Sequence, residues 1–224
     1  IYSLLMKTIL TAFQKDIFEE ISLNKFITDN FVCGGDTALT EFYLQHRLSE
    51  DLDFFTEKEI SFEEIMINLE KIAKKLGIKS VESREIQSAK IFFLKRGEKE
   101  VVKTDFNHFP FYCFEKGKKY KNLRIQSLTD IAISKLDTIL TRKQARDFVD
   151  FYFIQKERPL KMEFLLKKIK EKSKWQVDPL YLAGCFLKAG DLKDYPKMIK
   201  DFPKEEMIAY FLNLAKDQKT KIFR

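Results

Sequence analysis

Apolar residues recur at every fourth position early in the chain. Leu5, Ile9, Phe13, Ile17 and Ile21 share one face of a helix predicted over residues 2–22. Residues 37–45 repeat the pattern briefly, with Leu39, Phe42 and Tyr43 on one face, and predict a short helix. Then the period changes. DLDFF, at 51–55, alternates polar and apolar side chains as a half-buried strand does. SFEEIMINLEKIAKKLG opens on Ser61 and Glu64, a capping-box pair, and closes on Gly77, a helix stop. AKIFFLK and EVVKTDF, separated by Arg96-Gly97-Glu98, predict a hairpin. SLTDIAISKLDTIL begins with Ser127 and Asp130, a second capping box, and QARDFVDFYFIQKE continues as helix. Further helices near 160–173, 178–188 and 203–217 are set off by Pro159, Pro179, Pro196 and Pro203.

Strands therefore precede helices. The pattern predicts an α+β chain: a mixed sheet-and-helix module over residues 1–125, including the N-terminal helix, and a helical region over 126–224. A length of 224 residues suffices for a core, and 45% hydrophobic with 33% charged residues reads as soluble and globular. With 22 Phe, 7 Gly and 5 Pro, long disordered tracts are not expected. No window approaches 18 uncharged apolar residues, so neither a transmembrane helix nor a membrane partner is expected. IYSLLMKTIL is too short for a signal peptide and lacks a cleavage pattern; without an initiator Met the chain reads as trimmed.

Cys33, Cys113 and Cys185 are odd in number and widely spaced, which argues against disulfides and zinc and for a reducing cytoplasm. The histidines are His46 and His108 alone, so any metal must be a hard ion on carboxylates. Charge is uneven. Residues 1–60 carry 5 basic and 11 acidic side chains, residues 61–125 carry 15 and 9, and residues 156–174 carry 8 and 3. An acidic segment opposed by basic ones suits a site that holds cations and meets a polyanion, although lysine-rich faces are also ordinary solvated surface.

On a strand, Asp51 and Asp53 point the same way, about 7 Å apart, while Leu52 and Phe54 point into the core. Paired carboxylates on a sheet need protons, basic side chains or a metal. In VVKTDF, Val101, Lys103 and Asp105 share a face, so an adjacent strand would add Asp105 to the pair. Three carboxylates from neighbouring strands make a two-metal site for phosphoryl chemistry. D-x-D alone equally suits a solvent-facing strand edge. The upstream Gly34-Gly35, at a helix start, would let backbone amides approach a phosphate.

GGDTALTEFYLQHRLSEDLDFF resembles the signature of AbiEii-type nucleotidyltransferase toxins, relatives of the MenT toxins in the DNA polymerase β-like superfamily. VKTDF is similar to that family's third-carboxylate strand, and DIAISKLDTILTRKQARDFVDFYFI to its helical Lys, Arg and Asp motif. The likeness runs from about residue 10 to 155.

The resemblance implies a polymerase-β-like mixed sheet, completed by the helical C-terminal region, and transfer of a nucleotide from an NTP. The implied acceptor is RNA, often the 3′ end of tRNA, though some relatives modify proteins. A cognate antitoxin protein is implied as partner. Asp51 and Asp53 would bind two Mg²⁺ ions, and Asp105 would complete the site and help activate the attacking hydroxyl. Lys135 would contact the NTP phosphates, with Arg142 two turns on if its helix continues. Gly34, Gly35, Asp36 and Thr37 fall in the nucleotide-binding signature. Ser49 would bond a phosphate or cap the turn. Asp147 and Asp150 would contact the nucleotide or form a salt bridge to Arg146. His46 and Arg47 would pack on the D-x-D strand or touch substrate.

One departure stands out. The family reads Gly-Gly-Thr-Ala-Leu. In the preferred, ungapped register Gly35 takes the first glycine and Asp36 replaces the second; a one-residue insertion would keep Gly34-Gly35 as the pair. Asp36 would then be a helix N-cap, a carboxylate repelling triphosphate, or a further metal ligand. The alternative to an active enzyme is therefore a weakened relative that binds nucleotide, RNA or a protein. A nuclease on the same carboxylates would leave the glycines and Lys135 unexplained.

Overall fold

The alternation at DLDFF becomes a strand whose inward residues are fully covered. In this computed structural model, which describes residues 8–86, 88–108 and 113–222, the chain packs as two compact units, Ile1–Ser127 and Leu128–Arg224. The first unit holds helices α1 (Ala12–Leu23), α2 (Lys25–Asn30), α3 (Gly35–Leu39) and α4 (Phe62–Leu76). Its strands are β1 (Val32–Cys33), β2 (Asp51–Thr56), β3 (Ser80–Ile86), β4 (Ala89–Lys95), β5 (Val101–His108), β6 (Lys119–Tyr120) and β7 (Leu123–Ile125). They form a mixed sheet in the order β3-β4-β5-β2-β1-β7-β6.

Phenylalanine spacing explains the buried face. Leu52 and Phe54 on β2, and Val102, Thr104 and Phe106 on β5, all point inward. Phe106 stacks on Phe54 at 5.0 Å and meets Phe31 edge-on at 5.0 Å and Phe92 at 5.8 Å. The predicted hairpin forms, with Ala89 opposite Asn107 and Lys95 opposite Val101. Helix α4 starts at the Ser61–Glu64 capping box and stops at left-handed Gly77, as its sequence predicts.

Several boundaries differ from expectation. The first helix starts at Ala12 because Thr11 and Gln14 form a reciprocal capping box. The Ile9 amide bonds instead to Glu41 Oε2 at 3.0 Å. The part of that predicted helix over residues 2–7, Leu5 included, lies outside the described residues. The helix predicted at 37–45 is α3 followed by a π turn, Thr40–Leu44, that ends at left-handed Gln45. Thr40 donates its hydroxyl back to the Asp36 carbonyl at 2.8 Å, a bond that competes with regular helix. Strand β3 carried little apolar signal, because it is an edge strand with mostly exposed residues.

In the second unit α5 (Leu128–Thr141) and α6 (Ala145–Glu157) are separate helices, not one run. The Asp194 carboxylate accepts the Ala145 amide at 3.2 Å and opens the new helix there. Arg142 ends α5, its amide bonding back to the Thr138 carbonyl at 2.9 Å, and so lies two turns on from Lys135 as its spacing predicts. Helices α7 (Met162–Ser173), α8 (Pro179–Leu187) and α9 (Lys204–Ile222) follow. Phe211 of α9 gathers Phe148 at 4.9 Å and Phe186 at 5.7 Å into the core of this unit.

Phe106→Ala removes the ring that joins three others and is expected to cost about 3–5 kcal/mol of unfolding free energy. Urea titration followed by circular dichroism measures this; a loss under about 1 kcal/mol would place the core elsewhere.

Candidate active site

Parallel pairing of β2 with β5 decides which polar side chains meet. Asp53 lies opposite Asp105, and Asp51 opposite Lys103. All four sit on the face away from the phenylalanine core, only partly exposed. Lys103 Nζ donates to Asp51 Oδ2 and to Asp105 Oδ2, each at 2.7 Å. Burial pulls the lysine's pKa down, but the hydrogen bonds and charges of Asp105 and Asp51 outweigh it and raise the value above an ordinary lysine. Lys103 was visible in VKTDF as a residue on the face of Asp105; its bond to Asp51 needed the register.

The glycine turn borders Asp53. Gly34 donates its amide to the Asp53 carbonyl at 3.0 Å. Gly35 has φ +60°, and a Cβ there would lie 3.0 Å from Asp53 Oδ2. A Cβ on Gly34 would meet Gln126 Oε1 at 2.6 Å and the Phe55 ring at 2.7 Å. Both positions thus exclude side chains, and the backbone runs hard against the carboxylate strand. Gln126 Oε1 also accepts the Gly35 amide at 3.3 Å, a role its sequence context did not signal.

Asp36 does not cap the helix; Gly34 occupies that position and Asp36 lies in the first turn. Arg47, almost wholly buried, places Nη2 2.8 Å from Asp36 Oδ2 and donates Nη1 to the Leu48 carbonyl at 2.9 Å. The carboxylate is thereby matched by a guanidinium eleven residues on in sequence. Thr37 donates its hydroxyl to the Asp51 carbonyl. Ser49 Oγ lies 3.3 Å from Thr37 Oγ1 and 3.4 Å from the same carbonyl. These two hydroxyls brace α3 against the start of β2. His46 is fully buried. Cys33 is buried too, and burial pushes its thiol well above the usual range, with the charges of Asp53 and Glu41 adding to the rise.

The second unit contains the other predicted residues. Lys135 is 5% exposed, and its ammonium reaches Asp147 Oδ1 at 3.1 Å and Asp150 Oδ2 at 2.6 Å. Arg142 grips Asp147 with Nε at 2.7 Å and Nη2 at 3.0 Å, a two-pronged bond. Asp147 and Asp150, three residues apart on α6, share the helix face that Lys135 meets. Arg146, the partner suggested by proximity in sequence, donates Nε to Gln144 Oε1 at 3.1 Å.

The family model for the nucleotidyl transferase AbiEii toxin, type IV toxin–antitoxin system, matches residues 21–216. The uncharacterized protein aq_aa25 of Aquifex aeolicus (strain VF5) is 28% identical over 163 residues, 71% of this chain and 73% of that protein. The crystal structure of JHP933 from Helicobacter pylori superposes with a TM-score of 0.59 at 21% identity, over 93% of this chain and 90% of that one. A second H. pylori crystal structure gives 0.59 at 22% identity, over 95% and 97%. Both structures share the fold.

Lys135→Met would leave Asp150 and Asp147 buried with less positive charge and is expected to destabilise the protein by about 3–5 kcal/mol. Chemical denaturation checks it, and a neutral result would mean the aspartates are matched without Lys135. Thiol titration of the native protein should find Cys113 reacting fast, since it is exposed, while buried Cys33 and Cys185 react only on unfolding. Fast labelling of Cys33 would contradict its burial beside Asp53.

Proposed function

This chain belongs to the family of AbiEii nucleotidyl transferase toxins of type IV toxin–antitoxin systems, and from that premise we propose a specific reaction. Nucleotidyl transfer is the family's chemistry, and the chain is a nucleotidyltransferase. It moves a nucleotide from an NTP onto an RNA 3′ end, tRNA foremost. The reading rests above all on the β2–β5 register, which sets Asp53 opposite Asp105 with Asp51 on the same face.

Carboxylate oxygens are the donors a hard divalent ion takes. Asp51 and Asp105 already converge on one cationic group, the Lys103 ammonium. Asp51 and Asp53 would hold Mg²⁺, and Asp105 would complete the set. The ion, when bound, offsets phosphate charge and makes the acceptor hydroxyl more acidic. Asp105 takes the proton of that hydroxyl. The freed oxygen bonds to the α-phosphorus as the bond to the leaving pyrophosphate breaks.

The Gly34-Gly35 turn gives a triphosphate close backbone approach. Arg47 answers the charge of Asp36, so that carboxylate does not stand alone before the phosphates. This favours an active enzyme over a relative that only binds. The basic excess in residues 61–125 and 156–174 suits an RNA acceptor, whose phosphates exchange counterions for lysines. A cognate antitoxin and a cytoplasmic setting belong to the same reading. Among the described residues no helix is long and apolar enough to cross a membrane.

The test is incubation with Mg²⁺, each labelled NTP in turn and total tRNA. Label should pass to RNA, and Asp53→Asn should lower the rate at least about a hundredfold with the fold intact. Transfer that survives Asp53→Asn refutes the site. NTP binding without any transfer marks a binding-only relative, and RNA cleavage without NTP marks a nuclease.

A further inference from the structure

Lys103 lies where a metal-binding carboxylate set would leave no place for a bystander. Its Nζ is 2.7 Å from Asp51 Oδ2 and 2.7 Å from Asp105 Oδ2. An ammonium and a hard divalent ion seek the same carboxylate oxygens at short range, and they repel each other. Both cannot hold the two oxygens together without strong cost.

We propose that Lys103 is a built-in counter-cation, which holds Asp51 and Asp105 in position in the metal-free protein and must withdraw from them when a divalent ion loads. The inference rests on the assignment of metal to Asp51, Asp53 and Asp105. It makes Lys103 a positioning residue with two opposed effects. Without metal, it relieves the repulsion among carboxylates that share one sheet face. With metal available, it lowers apparent affinity by the fraction of time the ammonium occupies the oxygens.

Its chemistry suits withdrawal. Lysine is a compact charge on a flexible stem, whereas the planar fork of arginine would hold a carboxylate in two-pronged fashion. The Lys103 side chain is 30% exposed, so solvent is open to it as it leaves.

Mn²⁺ binding to the full chain, without NTP, tests this by calorimetry. Lys103→Met should bind Mn²⁺ at least about tenfold more tightly than the unaltered protein. Lys103→Arg, which keeps the charge, should bind no more tightly than the unaltered protein. Melting in EDTA supplies a second readout. Lys103→Met should melt lower than the unaltered protein, and Mn²⁺ should raise its Tm by the larger amount. Lys103→Gln, which keeps a donor but not the charge, should reproduce the order if the methionine variant fails to fold. Equal or weaker Mn²⁺ binding by a folded, uncharged variant overturns the proposal and leaves the metal assignment standing. Absence of Mn²⁺ binding in every protein, Lys103→Met included, sinks the metal assignment and the proposal with it.

Discussion

The register between β2 and β5 organises both faces of the first unit at once. Strand geometry sends alternate residues to opposite sides. The pairing that stacks Phe54 beside Phe106 on one side therefore sets Asp53 opposite Asp105 on the other. A slip of one residue would turn phenylalanines toward water and aspartates toward the core. The hydrophobic cluster thus guards the arrangement of the carboxylates. Its four rings make the slip far too costly to populate, and the polar face inherits that accuracy.

Close approach is the second constraint. The turn after β1 runs beside Asp53 because Gly35 leaves nothing between backbone and carboxylate, while Gly34 lies as close to Gln126 and the Phe55 ring. The hydroxyls of Thr37 and Ser49 tie the following helix to the Asp51 carbonyl. Asp36 and Arg47 then match charges within the same loop-helix segment. The second unit uses the same device in a drier setting, where Lys135 and Arg142 converge on aspartates with no exposure. In both units charge is balanced locally, within hydrogen-bonding distance.

What the sequence disclosed, and what it withheld, follows from the range of each interaction. The alternation at DLDFF and the two marked ends of α4 are local signals, and both appear as read. The hairpin is nearly local and also appears. The meeting of Asp53 with Asp105 joins strands some fifty residues apart, and no local pattern states the register of such a pair. Motif resemblance suggested it; the backbone supplied the neighbours. Strand β3 escaped notice because an edge strand needs little apolar content. The break between α5 and α6 carries no proline or glycine to mark it, because the start of α6 depends on distant Asp194. The grip of Arg47 on Asp36 was hidden for the same reason: the chain must reverse through Gln45 before the two can meet.

The π turn at Thr40–Leu44 gives that reversal a bearing on chain length. A π turn closes its hydrogen-bonded ring over one residue more than an α turn, as the Gln45 amide does on the Thr40 carbonyl at 3.0 Å. It acts as a length buffer. A chain that gains a residue between its glycines and its histidine can store the extra unit in such a turn while both ends stay in place. On those mechanics, the same demand falls on His46 whether or not the register keeps Gly34-Gly35 as the glycine pair.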